Sequence, residues 1–146
     1  MPGEYDVSIA HSFGIEVDGV QIKHIQEVSG LKLEQDVVEV KANTPDGKPI
    51  LVKMPGLPKA GEVTLVRGMT QDKGFDTWIK DSRFGQVDKI RKGGSIILYD
   101  LSGGVVKRYK LTNAWPKSLE VNALKAGDNT VVTEKLVVVF ENMEAE

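Results

Sequence analysis

An Asp18-Gly19 pair stands between two runs of alternating residues, and this arrangement constrains the fold more than any other feature of the chain. Before it, Phe13, Ile15 and Val17 alternate with Gly14, Glu16 and Asp18. After it, Val20, Ile22, His24 and Gln26 fall on one side. Alternation with period two is the mark of a strand with one buried face, and Asp-Gly readily takes the positive φ values of a two-residue hairpin turn. The pattern predicts a hairpin over about residues 13–28.

The same grammar recurs along the chain. Ser29-Gly30 breaks the first pattern, and alternation resumes from Leu31 through Val40 as a long strand with apolar residues on both faces at its far end. Residues 62–67 alternate again. Residues 94–101 and 105–112 flank Ser102-Gly103-Gly104 and predict another hairpin. Trp115-Pro116 predicts a bend, followed by a short edge segment from Leu119 to Asn122. Residues 126–129 read as a turn, and residues 131–142 as one last long strand. Apolar residues on both faces of that strand imply cover on both sides, and association with other chains would supply it.

Residues 42–60, "ANTPDGKPILVKMPGLPKA", depart from this rhythm and hold four of the six prolines. Pro45-Asp46-Gly47 is a turn signature, since proline presets φ and glycine permits φ > 0. The β-prone triplet Ile50, Leu51 and Val52 follows, so the segment predicts a second, prominent hairpin; an inter-domain linker is the alternative.

One helix is expected, over about residues 70–82. Thr70 is placed to cap it and Asp72 to complement its dipole. Phe75, Trp78 and Ile79 stand at i, i+3 and i+4 and form one apolar stripe, with Gly85 as the stop. A helix this short is marginal alone in water, so the stripe must pin it to a sheet.

Composition narrows the chemistry. The 146 residues suit one domain spanning 1–146, long enough for its own core. There are no cysteines, which excludes disulfides, thiolate zinc sites and a cysteine nucleophile. With only His11 and His24, few ligand sets for zinc exist, and His24 with Glu27 reads as structural or surface. The carboxylate pairs Glu16/Asp18 and Asp36/Glu39 read as solvated strand faces, and Asp128-Asn129 as a turn. No G-x-S-x-G, H-E-x-x-H, Walker A or G-x-G-x-x-G pattern occurs. The expectation is no catalytic residue, no metal, no cofactor and no enzyme. Net charge is −2, from 19 basic and 21 acidic residues, so no basic footprint for nucleic acid is present. The groupings Lys89/Arg91/Lys92 and Lys107/Arg108/Lys110 read as solvated or interface charges. The start "MPGEYDVSIAHS" lacks the basic and apolar regions of a signal peptide, and no run nears the roughly 20 apolar residues of a membrane anchor.

In order along the chain stand "FGIEVDGVQIKHIQEVSGLKLE" (13–34), "MPGLPKAGEVTLVRGMT" (54–70), the helix with Trp78, "RYKLTNAWPKSLEV" (108–121) and "NTVVTEKLVVVFENME" (129–144). Taken as an ordered set, these resemble the tail-tube proteins of contractile phages and phage-tail-like contractile injection systems. Met54 departs from the polar or basic residue expected in its loop. The resemblance implies a mainly β subunit, a two-sheet barrel or sandwich with one helix bracing its outside. Six such subunits would join their sheets into a large inner barrel, and the rings would stack into a hollow tube. Implied partners are further copies of the chain, a sheath protein, baseplate and tube-capping proteins, and cargo protein or DNA in the lumen. Assembly would take place in the cytoplasm of the producing bacterium. Ring-to-ring contact is expected from the segment holding Thr44, Asp46, Lys48, Ile50, Leu51, Val52, Lys53 and Met54, with the triplet as the apolar contact and Lys48 and Lys53 pairing with acids of the next ring. Two other readings stand beside it: a tube-initiator, baseplate or type VI ring protein of the same fold, and a small enzyme or carbohydrate-binding β-domain, of which a binding domain would expose clustered aromatics.

Overall fold

The computed structural model describes residues 9–17, 20–68, 73–85, 92–122, 126–127 and 131–146. Among these residues nine strands and one helix follow in the order β1 (Ser12–Val17), β2 (Val20–Ser29), β3 (Gln35–Asn43), β4 (Pro49–Pro58), β5 (Gly61–Gly68), α1 (Gly74–Phe84), β6 (Lys92–Tyr99), β7 (Val105–Val121), β8 (Thr133–Phe140) and β9 (Asn142–Ala145). All strand pairings are antiparallel.

Six strands close on themselves. The order is β6-β1-β2-β5-β8-β7, and β7 pairs back onto β6. Closure removes the open edges that a flat sheet of these strands would present. The fold is therefore mainly β, a closed barrel with one short helix. The alternation read from the sequence sets what faces inward: Ile15 and Val17 of β1, Val63 and Leu65 of β5, Leu136, Val138 and Phe140 of β8 all join one buried core. The first hairpin forms as expected, with Ile15 opposite Ile22; its Asp18-Gly19 turn lies outside the described residues. Gly30 takes φ +87°, and a Cβ there would meet the Glu62 carbonyl at 2.6 Å, so the crossing at the end of β2 admits only glycine without a shift.

The second half departs from the expected breaks. Trp115-Pro116 is no bend: β7 runs unbroken for 17 residues, and residues 119–121 are its continuation, not a separate edge segment. Pro116 is buried inside it and is tolerated because the β7–β8 register shifts between Pro116 and Ser118. The last strand is instead divided. β8 ends at Phe140, and β9 continues along the same edge of β7, with Asn142 opposite Thr112. At the break Asn113 holds φ +51°, and its Nδ2 donates to Glu141 Oε2 at 2.7 Å. The strand expected from Leu31 begins only at Gln35.

The helix runs Gly74–Phe84, later than the expected 70–82. Its N-cap is Lys73, without a side-chain capping bond, and the expected caps Thr70 and Asp72 lie outside the described residues. What holds it is burial: Phe75 and Trp78 enter the barrel core, and Ile79 is half-buried. It packs at one rim rather than on the barrel's outside, beside the last residue of β1, Val17, and the first of β6, Lys92.

Candidate assembly surfaces

At the helix rim, Arg67 of β5 and Glu134 of β8 sit opposite each other and are 2 % and 3 % exposed. Arg67 Nε donates to Glu134 Oε2 at 3.0 Å. The guanidinium lies over the Phe75 ring, 4.0 Å from its centroid, so the same cation meets a carboxylate and a π face. Ser82 Oγ donates to the Pro116 carbonyl at 3.4 Å and ties the far end of α1 to β7. The pattern of the sequence had marked Arg67 only as a strand residue. An inward arginine two residues beyond Leu65 on the same face was the available signal.

From the opposite rim, between the end of β2 and the start of β5, β3 and β4 leave the barrel as a separate two-stranded ribbon. Lys59 N–H donates to the Glu34 carbonyl at 2.8 Å and closes its base. At the tip, Lys48 N–H donates to Thr44 Oγ1 at 3.1 Å, and Gly47 takes φ +80°. The register is decisive. Val38 faces Met54, Val40 faces Val52 and Ala42 faces Ile50, so these six residues share one side. Their larger members are 36–47 % exposed.

This corrects the triplet. Ile50 and Val52 belong to the apolar face, whereas Leu51, opposite Lys41, lies on the polar face with Lys53 and Glu39. The tip is the turn holding Thr44, Asp46 and Lys48, and the triplet follows it on β4. Lys53 Nζ lies 3.9 Å from Glu39 of its own ribbon. Met54 is a strand residue and an apolar member of the face, not a loop residue.

The barrel's polar outside is laced by exposed or half-exposed pairs. Arg108 Nη1 reaches Glu16 at 3.2 Å, and Lys117 Nζ reaches Glu62 at 3.3 Å. Lys107 lies over its neighbour Tyr109, 5.5 Å from the ring centroid. The basic grouping at 107–110 is thus partly engaged within the chain. Among the described residues no cluster of three or more His, Cys, Asp or Glu side chains is placed to hold a metal. Among the described residues no helix is long and apolar enough to cross a membrane.

A closed barrel that sends out an amphipathic ribbon whose apolar face stays exposed among the described residues is the form of an assembly subunit. Residues 9–144 match the T4-like virus tail tube protein gp19 family, and the chain belongs to that family. It is a structural tube subunit. Solved structures carry the same fold. A chain of the sheath–tube complex of PVC, an extracellular contractile injection system, in its extended state is 23 % identical, with TM-score 0.75 over 98 % of this chain and 93 % of that one. A chain of the PVC sheath/tube terminator in the extended state is 25 % identical, with TM-score 0.74 over 98 % of each chain. A chain of the six-fold symmetrised anti-feeding prophage baseplate is 17 % identical, with TM-score 0.71 over 97 % of this chain and 96 % of that one. Among curated proteins, no sequence matches this chain.

Proposed function

We propose that the chain forms sixfold rings that stack into the rigid inner tube of a contractile phage tail or injection particle. The observation that carries this reading is the ribbon. Its apolar face, from Val38 to Met54, is exposed among the described residues, and a second copy is the occupant that family membership favours. The ribbon's length supports a reach beyond one subunit: the nine residues of β3 span roughly 30 Å at 3.3 Å each. The ribbon is the ring-to-ring element, and its affinity comes from the apolar face. Lys48 adds little, since exposed pairs contribute roughly 0–1 kcal/mol each. The whole chain acts as one domain. The helix closes one rim and braces the subunit through Phe75, Trp78 and Ile79. The tube is assembled in the bacterial cytoplasm inside a sheath, meets baseplate and capping proteins at its ends, and conducts protein cargo or DNA without chemistry of its own.

Likeness to a baseplate chain favours one second reading, a ring that initiates the tube rather than filling it. A type VI secreted ring is the third member of that group. Electron microscopy of the purified chain separates them. Long stacked tubes are expected of the main tube, and isolated rings of the alternatives.

A further inference from the structure

The ribbon shares its rim with a second projection. Between β6 and β7 the Asp100 carboxylate gathers the turn: Oδ1 accepts from Ser102 Oγ at 2.7 Å, from Gly104 N–H at 2.8 Å and from Ser102 N–H at 3.0 Å. The Asp100 carbonyl accepts from Gly103 N–H at 3.1 Å, and Gly103 takes φ +87°. A single exposed leucine needs no explanation. Leu101 differs in being held out on a turn fixed from within, 82 % exposed, with the exposed Val105 next to the turn. An apolar side chain presented on a pre-ordered turn loses little entropy on docking.

The opposite rim holds a hollow of complementary character. A cleft of about 420 Å³ opens between α1 and the barrel, lined by the apolar Val17, Ile22 and Trp78 together with Thr77, Asp81 and Lys92. Strand β6 connects the two features, with Lys92 at the cleft and Tyr99 beside the turn. Seven steps at about 3.3 Å each put them roughly 23 Å apart, so Leu101 cannot reach the cleft of its own chain. Two copies arranged head to tail along the strands bring the knob of one to the hollow of the next. Such a contact is heterologous: repeated by translation along the strands it builds a growing stack, whereas a closing rotation would make it a ring.

The geometry points to a second ring-to-ring contact, in which Leu101 of one copy seats in the cleft between α1 and the barrel of a copy in the next ring, with Asp100 beside that copy's Lys92. It rests on the tube reading and adds to it a docking site at the helix rim. The ribbon supplies reach, and the knob and cleft fix the axial and rotational register of successive rings.

The cysteine-free chain offers a direct test. Leu101→Cys and Thr77→Cys both replace exposed side chains, so each variant should fold. The double variant, assembled and then oxidised, is expected to run on a denaturing gel as a ladder extending beyond six subunits, and a thiol reductant should collapse it to monomer. Each single variant should lack the ladder. Leu101→Asp should raise the concentration needed for tubes at least about tenfold while single rings persist. Tubes seen by microscopy with no ladder, or a ladder that stops at six, overturn this inference and leave the tube reading in place. A Leu101→Asp variant that forms tubes like the parent does the same. A parent chain that forms neither rings nor tubes overturns both.

Discussion

Trp78 is 5 % exposed, yet its indole Nε1–H meets no acceptor among the described residues. Its value to the fold is therefore apolar volume. Trp78→Ala is expected to cost about 3–5 kcal/mol, read from denaturant unfolding of unassembled protein. Trp78→Phe should cost far less, because it removes a donor that has no partner; equal losses for the two would show that the indole N–H matters. Asp100 makes the opposite case. The Ser102 hydroxyl, followed by the Gly104 N–H, holds its carboxyl below the ordinary value of 3.8. A depressed folded value means the charged form stabilises the fold above the ordinary value, and the gain is lost as pH falls through the folded value. The stability gap between parent and Asp100→Asn should thus be constant above pH 3.8 and shrink below it, as followed by melting temperature against pH. A gap that is flat down to strong acid contradicts the hydrogen-bond account of this turn.

Among the elements, β5, β8 and α1 meet at one buried ion pair. Glu134→Leu takes the Glu134 carboxylate from the buried guanidinium and is expected to cost about 1.5–3 kcal/mol, the scale of a hydrogen bond to a charged group, whereas Arg67→Met with Glu134→Leu should recover most of that loss. No recovery would mean that the pair also fixes the β5–β8 register. For the ribbon, replacing residues 40–52 by Asn-Gly keeps the Glu39–Lys53 pairing and deletes most of the apolar face. The expected products are folded subunits and single rings without tubes, checked by microscopy and circular dichroism. Elements set by local chemistry were legible in the sequence: the hairpins around Asp18-Gly19 and Ser102-Gly103-Gly104, and the apolar stripe of the helix. Elements set by distant partners were not. Pro116 reads as a breaker, but β8 shifts register beside it and β7 continues. Residues 131–142 read as one strand, but Asn113 across from Glu141 divides it. The triplet at 50–52 reads as one patch, although period two must split it once the segment is a strand.

At the scale of the molecule, pairing of β6 with β7 closes the barrel, a contact between neighbours in sequence that seals a ring begun by β1. Closure leaves the ribbon, the short β9 and the far part of β7, from Trp115 to Val121, as described stretches with an unpaired edge. That division explains how one chain serves as a tube subunit. The barrel gives a stiff body, and the ribbon carries an exposed apolar face outside it. Under the proposed role of the ribbon, its variants should spare folding while core variants should not. The most direct measurement is electron microscopy, with rotational averaging, of the purified full-length chain at micromolar concentration. The account predicts hollow tubes built of stacked rings with sixfold cross-sections. A population that stays monomeric at every protein and salt concentration would contradict it.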